Sequence, residues 1–574
     1  MSEIAVAVNG LIRTNHLLSL DMKKLITIEV LMKDVLKATK ALESGKEDQQ
    51  ESSNPLKMQA LSLAVSDLSV HGRTMVDEQD LLASLHFPMI QTRHEKIEKA
   101  HANTYEWIFR KPILEGSKPV RFVEWLEQRN GVFWIYGKPG CGKSTLMKFI
   151  CNHDQTREHL ALWKTSHAEA LEELRKTKME GTPNPEDEKL KGLRYEAELI
   201  ESYYQQRDGG INSEAAKLVT AKYFFWNSGS KLQKSQEGLL RSLIFTALRQ
   251  CPELTGHVRR KRSEQLGFAA ESGDGGPLID TASWSFEELL LTLRDIISVR
   301  MSATFCLFID GLDEYEEENK RTYRDLVDTL NQIAKFPNAK ICVSSRPWTV
   351  FLDAFKSISA YSVKLEDLTR GDIRRYVSDK FEQHDQYQHL TAHDSGYEAL
   401  IEKVVSRAQG VFLWVYLVVK ELLEGLTYND SVKVMLQRLN QFPEDLEDFF
   451  QHMIDSIPPL YRRRAARTFF ITQSAPEPLL LTLHAFLDDI EDDPNFFTKQ
   501  ARRVERTELL RMHERMRRQL EGRTKGLIEV VSDQHEDLPY FQFSVDFLHR
   551  TVRDFLQTSS NVQSFMTNDQ KELS

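Results

Sequence analysis

The sequence predicts an α/β core, in which a parallel β-sheet has helices on both faces, followed by helical and then winged-helix-like regions. Four short apolar runs, VFWIY, KYFFW, TFCLFID and KICVSS, alternate with helix-forming segments up to about Pro347. Apolar runs of this length, separated by helices, are typical of buried strands in a parallel sheet. Beyond Pro347 helical patterns dominate, without a clear strand until LIEVV and FQFSV near the C-terminus. Helices followed by two short strands and a last helix favour a small winged-helix-like domain there.

Changes in composition divide the 574 residues into several predicted segments. They are a variable helical N-terminal region at 1–86, a helical lead-in at 87–130, the sheet-containing core at 131–350, a helical domain at 351–442, a winged-helix-like domain at 443–560 and a tail at 561–574. Within the core, residues 164–218 are charged, helix-prone and poor in apolar side chains. We expect a solvated helical hairpin there, with a partner-binding element as the alternative.

Bulk composition narrows the class of protein and its compartment. A formal net charge of −10 argues against a protein that coats nucleic acid through bulk electrostatics. The five cysteines show no C-x-x-C pair or metal-ligand spacing, which favours a reducing compartment. The N-terminus lacks the pattern of a signal peptide, and the apolar run VFLWVYLVV is about half as long as a membrane span. We therefore expect a cytoplasmic protein with no transmembrane segment and no nucleic-acid partner.

The first apolar run leads into a pattern that is typical of phosphate-binding loops. The residues GKPGCGKS satisfy G-x-x-x-x-G-K-[ST] between a predicted strand and a predicted helix. Glycines let the backbone curl so that successive N–H groups point at phosphate oxygens. Lys143 can bind the β- and γ-phosphates, and the Ser144 hydroxyl can bind Mg²⁺. The candidate nucleotide-binding residues are Gly137, Lys138, Pro139, Gly140, Cys141, Gly142, Lys143, Ser144 and Thr145.

The run FCLFIDGLDEY supplies the carboxylate that a phosphate loop needs for its metal ion. Its apolar residues deliver Asp310 to the carboxyl end of a strand, where ligands bind in open α/β sheets. We predict that Asp310, with Ser144, binds Mg²⁺, against the alternative of a structural carboxylate. Asp313 and Glu314 follow on the next turn, and either could polarise an attacking water. The alternative for these two residues is a solvated acidic loop.

A third motif, KICVSSRPW, brings Arg346 to the end of another predicted strand. A guanidinium in that position can bind a γ-phosphate through charge-assisted hydrogen bonds. The alternative is a surface arginine, because the triplet SSR is weak by itself. The candidate catalytic residues are therefore Lys143, Asp310, Asp313, Glu314 and Arg346.

These three motifs, in this order, resemble the NACHT nucleotide-binding domains of STAND-type P-loop NTPases. Flanking phrases such as AHANTYEWIF and FVEWLEQRNGVFWIYGKPG are similar to filamentous-fungal versions, and the resemblance covers about residues 87–557. It implies a nucleotide-binding domain at 131–350, in which residues 137–145 bind ATP or GTP, Asp310 binds Mg²⁺ and Arg346 matches the sensor 1 position, and in which hydrolysis is slow. It also implies a role in fungal self/non-self recognition (heterokaryon incompatibility) or programmed cell death.

The C-terminal phrase FLHRTVRDFL resembles a winged-helix motif of animal NOD-like receptors. In that motif a histidine contacts the β-phosphate of bound ADP, and the matching residue here is His549. From the residues alone, a core histidine on a helix among Phe547, Val552 and Phe555 is a serious alternative. Arg93, in MIQTRHEKI, either lies near the nucleotide base or is a helix-surface arginine.

The resulting hypothesis is a switch that is closed and monomeric with a diphosphate and open and oligomeric with a triphosphate. ATP is mildly preferred over GTP because no N/T-K-x-D motif is present. Family members usually carry a C-terminal repeat array and a recognisable N-terminal effector, and neither is evident in this sequence. The alternatives are therefore a truncated nucleotide-binding module that depends on a partner sensor, or a constitutively active NTPase.

Overall fold

A computed structural model describes thirteen pieces of the chain. They are residues 78–87, 90, 92–110, 120–128, 130–180, 217–265, 283–299, 303–318, 321–385, 396–493, 495, 504–532 and 539–568. Most of the predicted N-terminal region at 1–86, part of the predicted insertion at 164–218 and the end of the tail lie outside the described residues. The chain forms two compact units. One comprises residues up to 90, 167–222 and 237–306, and the other comprises residues 91–166, 223–236 and from 307 onward.

The predicted parallel sheet is present, with five strands. The strands are β1 Gly131–Tyr136, β2 Lys217–Phe224, β3 Ala303–Asp310, β4 Ala339–Ser345 and β5 Ser362–Lys364. Their order is β2-β3-β4-β1-β5, so β4 separates β1 from β3. Every residue of β3 and β4 is buried, which explains why their sequences are continuously apolar rather than alternating.

Helices precede, connect and follow these strands. Up to β4 they are α1 Thr92–Lys96, α2 Phe122–Gln128, α3 Lys143–Asn152, α4 Asp154–Glu180, α5 Gln236–Gln250, α6 Thr255–Gln265, α7 Phe286–Val299 and α8 Tyr323–Ala334. Beyond β4 they are α9 Thr349–Ala354, α10 Arg370–Glu382, α11 Tyr397–Ala408, α12 Phe412–Thr427, α13 Val432–Gln441, α14 Leu446–Asp455, α15 Pro459–Ser474, α16 Leu481–Asp492, α17 Arg506–Thr524, α18 Arg550–Thr558 and α19 Ser560–Asn568.

A small antiparallel sheet lies among the last of these helices. Its strands are β6 Leu479–Leu480, β7 Ile528–Ser532 and β8 Phe543–Phe547, in the order β6-β8-β7. The two predicted C-terminal β-patterns became β7 and β8. The two-residue strand β6 was not predicted, because so short a segment has no detectable period.

Two details of the sequence prediction were wrong. The expectation of no strand just after Pro347 missed β5, which has only three residues but pairs with β1 in parallel. The lead-in at 87–130 was expected to be helical, yet α1 ends at Lys96 and Tyr105 has a left-handed backbone with φ of 65°. A non-glycine residue with positive φ interrupts a right-handed helix, so this segment turns instead.

In the first unit, a buried arginine joins α6 to α7. The side chain of Arg262 is 1% exposed, and its Nε lies 3.0 Å from a carboxylate oxygen of Glu288. Its guanidinium carbon lies 3.7 Å from the ring centre of Trp284. Because a buried guanidinium is costly without a partner, these contacts fix the packing of the two helices.

In the second unit, one hydrophobic core extends from Ile373 to Met566. It contains the apolar faces of α10 to α19 together with Val545 and Phe547 of β8. The run VFLWVYLVV lies mostly in α12, where Trp414, Val415 and Val418 are fully buried in this core. Among the residues that the structure describes, no helix combines the length and the apolar character needed to cross a membrane.

Candidate functional site

The glycine-rich loop connects β1 to α3 and holds its lysine in place. Gly140 and Gly142 adopt φ of 72° and 97°, backbone conformations that other residues resist. The Lys143 ammonium donates hydrogen bonds to the carbonyl oxygens of Gly137 and Lys138, each at 2.9 Å. Lys143 is also the first residue of α3, so the positive end of the helix dipole faces the loop. The loop is therefore shaped as an anion-binding cradle.

Cys141 lies inside this loop. It is fully buried, and its Sγ lies 3.9 Å from the Lys143 ammonium nitrogen. Burial raises the pKa of the Cys141 thiol, and the nearby lysine opposes that shift. The thiol is therefore neutral at physiological pH and acts as a small apolar side chain.

Asp310 ends β3 and meets the loop at Ser144. Asp310 is 1% exposed, and the Ser344 hydroxyl donates to its Oδ1 at 2.5 Å. Burial raises the pKa of Asp310 to about 6, and hydrogen bonds from Ser144 and Ser344 limit the rise. The two predicted metal ligands, Ser144 and Asp310, are thus brought together.

This pair fits a divalent cation that also binds phosphate. A buried carboxylate is costly when ionised, and a bound cation would offset that cost. In the described part of the chain, no group of three or more histidine, cysteine, aspartate or glutamate side chains is arranged to hold a metal ion. A metal at Ser144 and Asp310 would therefore take its remaining ligands from water and phosphate oxygens, as Mg²⁺ commonly does.

Arg346 and Asp313 lie in a cluster of four charged side chains, which we call the charge quartet: Asp313, Arg346, Arg550 and Asp554. The Nε of Arg346 lies 3.1 Å from Asp313 Oδ2, and its Nη2 donates to Asp554 Oδ2 at 2.7 Å. The Nη1 of Arg550 donates to the same Asp313 Oδ2 at 2.8 Å. The backbone N–H of Arg346 donates to Asp313 Oδ1 at 2.9 Å.

The quartet bears on the two roles predicted for its members, which are polarisation of water by Asp313 and γ-phosphate binding by Arg346. Both carboxylate oxygens of Asp313 already accept hydrogen bonds and its side chain is 5% exposed, so in this conformation it is poorly placed to take a proton from an attacking water. The guanidinium of Arg346 is paired with two carboxylates, one of them on α18. Glu314 is the less committed of the two acidic candidates: its Oε2 accepts a hydrogen bond from the backbone N–H of Asn227 at 3.1 Å, and its Oε1 lies 3.9 Å from Nη1 of Arg550.

His549 precedes α18 as its N-cap rather than lying within the helix. The backbone N–H of Thr551 donates to His549 Nδ1 at 3.1 Å. Burial, together with the cations Arg93, Arg346 and Lys143, lowers the pKa of His549 to about 3. The ring is therefore neutral, and because Nδ1 accepts a hydrogen bond, its proton is on Nε2.

One cavity of about 630 Å³ contains most of these groups. The sequence-predicted residues in its lining are Pro139, Gly140, Gly142, Lys143, Ser144, Thr145, Asp313, Glu314, Arg346 and His549. Gly137, Lys138, Cys141 and Asp310 lie behind this lining, in the loop and in β3. The cavity thus brings residues from the loop, two strand ends and the C-terminal segment to one place.

Arg93 lies in the lining of the same cavity. Its Nε is buried without a hydrogen-bond partner. Its charge acts on Asp310 and His549 and also on Glu529, so it lies among the ionisable groups of the cavity. Glu529 on β7 also lines the cavity, and burial with the nearby Glu98 and Asp546 raises its pKa to about 7.

Sequence reasoning missed several residues of this site. Arg550 and Asp554 lie in the phrase that drew attention to His549, and their spacing of four residues indicates one helix face. The hydroxyl of Tyr105 lies 3.5 Å from the carbonyl oxygen of Gly142, a contact made by the turn that replaced the expected helix. Glu366 contacts the outside of the loop and carried no motif at all.

Two sequence families match parts of the chain. Residues 103–169 and 199–346 match the family described as Nephrocystin 3, N-terminal. Residues 456–572 match a family described as a domain of unknown function, DUF7791. The gap in the first match, residues 170–198, falls within the charged segment 164–218.

Individual proteins are similar to this chain at low sequence identity. The vegetative incompatibility protein HET-E-1 of Podospora anserina is 25% identical over 284 residues, which are 47% of this chain and 19% of that protein. The chain thus spans about a fifth of the length of this curated relative. Cdc6p from Pyrobaculum aerophilum is 11% identical over 81% of this chain and 97% of its own, with a TM-score of 0.25. A Walker-type ATPase of Pyrococcus abyssi is 12% identical over 63% of this chain and 95% of its own, with a TM-score of 0.22.

A parallel sheet whose first strand enters a glycine-rich lysine loop, and whose third strand ends on a buried aspartate, defines a P-loop NTPase. The order of the motifs and the similarity to the incompatibility protein and to the nephrocystin N-terminal family make the relationship more specific. Together they make the chain similar to fungal NACHT-type P-loop NTPases.

Proposed function

We propose that the protein is a nucleotide-dependent signalling switch of the STAND class. The observation that carries the proposal is the shared cavity, in which the phosphate-binding loop faces Arg346 and the C-terminal residues His549 and Arg550. A ligand that binds in this cavity contacts both ends of the second unit. Its chemical state can therefore bias their arrangement.

The nucleotide would bind through residues 137–145, with Mg²⁺ at Ser144 and Asp310. The Lys143 ammonium, already held by two carbonyls, is in place to bind the β- and γ-phosphates. When bound, a magnesium–nucleotide complex supplies the terminal phosphate and the divalent charge that this site otherwise lacks. ATP is mildly preferred over GTP, because the base-reading motif of small GTPases is missing from the sequence.

The charge quartet would distinguish diphosphate from triphosphate. A γ-phosphate competes with Asp313 and Asp554 for Arg346, because all three are anions that accept from a guanidinium. Loss of the Arg346–Asp554 pair would release α18 from the end of β4. Converting a population from 1:99 to 99:1 takes about 5.5 kcal/mol of differential affinity. Charge-assisted contacts of a γ-phosphate with Lys143, Arg346 and the metal could supply a large share of it.

His549 would stabilise the diphosphate state. Its neutral ring carries a proton on Nε2, which is a hydrogen-bond donor for a phosphate oxygen in the cavity. In this proposal the closed form is monomeric, and the triphosphate form is open and oligomeric. Hydrolysis is slow, because Asp313 is already paired with Arg346 and Arg550, which leaves Glu314 as the acidic candidate that polarises water. Hydrolysis serves to reset the switch.

The biological role follows from the relative named for vegetative incompatibility. We propose that the chain acts in the cytoplasm, in fungal self/non-self recognition or programmed cell death. The supporting observation is the 25% identity to HET-E-1 over 284 residues, which are 47% of this chain.

Nucleotide content of the purified protein tests the proposal. We expect bound ADP or GDP in the wild type and none in Lys143→Ala, because that change removes the phosphate-binding charge. Lys335→Ala, which alters an exposed lysine outside the cavity lining, is the matched control and should retain the nucleotide. A wild type that is purified empty and also fails to bind added ATP or GTP would refute the proposed function.

A further inference from the structure

We infer that Glu366 is a positioning residue for the phosphate-binding loop and joins the loop to the turn between α11 and α12. This inference rests on the proposed function, since it concerns how the same site is held and regulated. It adds a residue that neither the motifs nor the cavity lining includes.

Glu366 contacts the loop from its outer side. It lies in the turn after β5, and its side chain is only 4% exposed. The backbone N–H of Lys138 donates to Glu366 Oε2 at 3.2 Å. A Cβ added to Gly137 would lie 2.3 Å from the same oxygen, so a larger residue at this position would displace the carboxylate from its present place.

The peptide that Glu366 contacts is also the one that holds Lys143. The carbonyl oxygens of Gly137 and Lys138 accept the two hydrogen bonds from the Lys143 ammonium. An acceptor for the Lys138 N–H therefore fixes the Gly137–Lys138 peptide, and with it the Gly137 carbonyl, which is one of the two that aim the lysine. Glu366 acts on the phosphate site through this peptide rather than by contact with phosphate.

The backbone of Glu366 continues the connection toward the helical region. A Cβ added to Gly410 would lie 2.3 Å from the Glu366 carbonyl oxygen and 2.7 Å from its Cα. Thr369 links the same two residues, because its hydroxyl lies 3.5 Å from the Glu366 carbonyl oxygen and 3.3 Å from that of Gly410.

The turn between α11 and α12 also contacts the loop directly. The Lys138 ammonium donates to Gln409 Oε1 at 3.3 Å, and the backbone N–H of Leu413 donates to the Gly140 carbonyl oxygen at 3.0 Å. The loop is thus held from outside by two segments that also contact each other. A change in the loop on nucleotide binding would be transmitted to α12 through these contacts.

The test compares two changes at Glu366 with a change at its neighbour. Glu366→Met keeps the volume but removes the acceptor, and Glu366→Gln keeps both the volume and an oxygen. Asp367→Asn is the matched control. Asp367 is exposed and lies 3.2 Å from the Lys364 ammonium, which also pairs with Glu366, at 3.6 Å. Hydrogen exchange of loop peptides in nucleotide-free protein and the Kd for a fluorescent ADP analogue are measured for each.

We expect Glu366→Met to speed exchange at Lys138 and to weaken nucleotide binding about tenfold, the size of one hydrogen bond to a charged group. Glu366→Gln should restore most of the affinity, and Asp367→Asn should match the wild type. Unchanged exchange in Glu366→Met would overturn the inference whether or not nucleotide binds. Faster exchange with an unchanged Kd would also overturn it, because Glu366 would then be structural only. The proposed function fails separately if the wild type binds no nucleotide while Glu366→Met still exchanges faster than the wild type at Lys138.

Discussion

At the scale of single residues, the site is organised by the cost of burying charge. Asp310 and Asp313 are both nearly inaccessible, yet they are compensated in different ways. Among the described residues, the hydroxyls of Ser144 and Ser344 donate to Asp310, and burial raises its pKa to about 6. Asp313 has two arginines and a backbone N–H. The first is therefore suited to receive a cation, and the second is already neutralised.

A change at Asp554 tests whether the quartet restrains Arg346. Asp554→Asn should raise the preference for a non-hydrolysable triphosphate over the diphosphate by about five- to tenfold, because Arg346 loses one of its two anionic partners. Calorimetric titration of each nucleotide gives this ratio. The exposed Asp353 on α9 supplies the control Asp353→Asn. An unchanged ratio in Asp554→Asn would show that the quartet does not bear on nucleotide choice.

The lowered pKa of His549 predicts a dependence of stability on pH. The folded protein keeps this ring neutral down to about pH 3, whereas the unfolded chain protonates it near its ordinary value of 6.5. The contribution of the neutral His549 ring to the free energy of unfolding is thus complete above pH 6.5 and is lost as pH falls toward 3. Urea unfolding at pH 7, 6, 5 and 4 should show the wild type losing stability relative to His549→Gln. Parallel curves for the two proteins would contradict the assignment of a neutral buried ring.

At the scale of elements, the phosphate loop is braced by other segments on more than one side. Tyr105, from the turn after α1, approaches Gly142, and Leu413 at the start of α12 approaches Gly140. A Cβ on Gly140 would lie 2.8 Å from the Leu413 Cβ. The glycines of the motif thus serve contacts with neighbouring elements as well as the curl around phosphate.

Substitution of Gly410 tests the bracing by the turn between α11 and α12. Gly410→Ala should lower the free energy of unfolding by about 2 kcal/mol or more, because its φ is +78° and a Cβ there would meet the backbone of Glu366. Gly371→Ala is the matched control. It lies in α10 with open space around its Cα, so it should raise stability by about 0.5–1 kcal/mol. Equal thermal midpoints for the two variants would be contrary to this account.

The elements show where sequence reasoning succeeds and where it fails. The loop and Asp310 were predictable because each is marked by a short motif of about ten adjacent residues with a known spacing. The quartet was not, because Arg346 and Asp554 are 208 residues apart and no local pattern links them. The strand β5 was missed because only one of its three residues is buried, and the lead-in because a left-handed Tyr105 has no sequence signature.

At the scale of the whole molecule, the proposed switch has its components in one compact unit. Every residue in the cavity lining belongs to the second unit, and so does the continuous core from Ile373 to Met566. Since α18 contributes Val552, Phe555 and Leu556 to that core, a movement of α18 away from Arg346 would change the packing of the core. A local change of charge would then produce a large conformational response.

Oligomeric state tests this response. With a non-hydrolysable triphosphate and Mg²⁺ we expect the molar mass in light scattering to rise above the monomer, and with ADP we expect it to stay at 66.5 kDa. Lys143→Ala should remain monomeric under both conditions. A wild type that binds the triphosphate but never associates would favour the alternative of a module that depends on a partner sensor.

The buried thiol of Cys141 gives this loop a chemical reporter that needs no engineering. An electrophile such as a maleimide can reach that sulfur only when the backbone around it opens, so the rate of alkylation would measure the opening frequency. Nucleotide should protect Cys141 to a degree that follows its occupancy. Because Cys151 is half-buried and would add background, Cys151→Ser would make the signal specific.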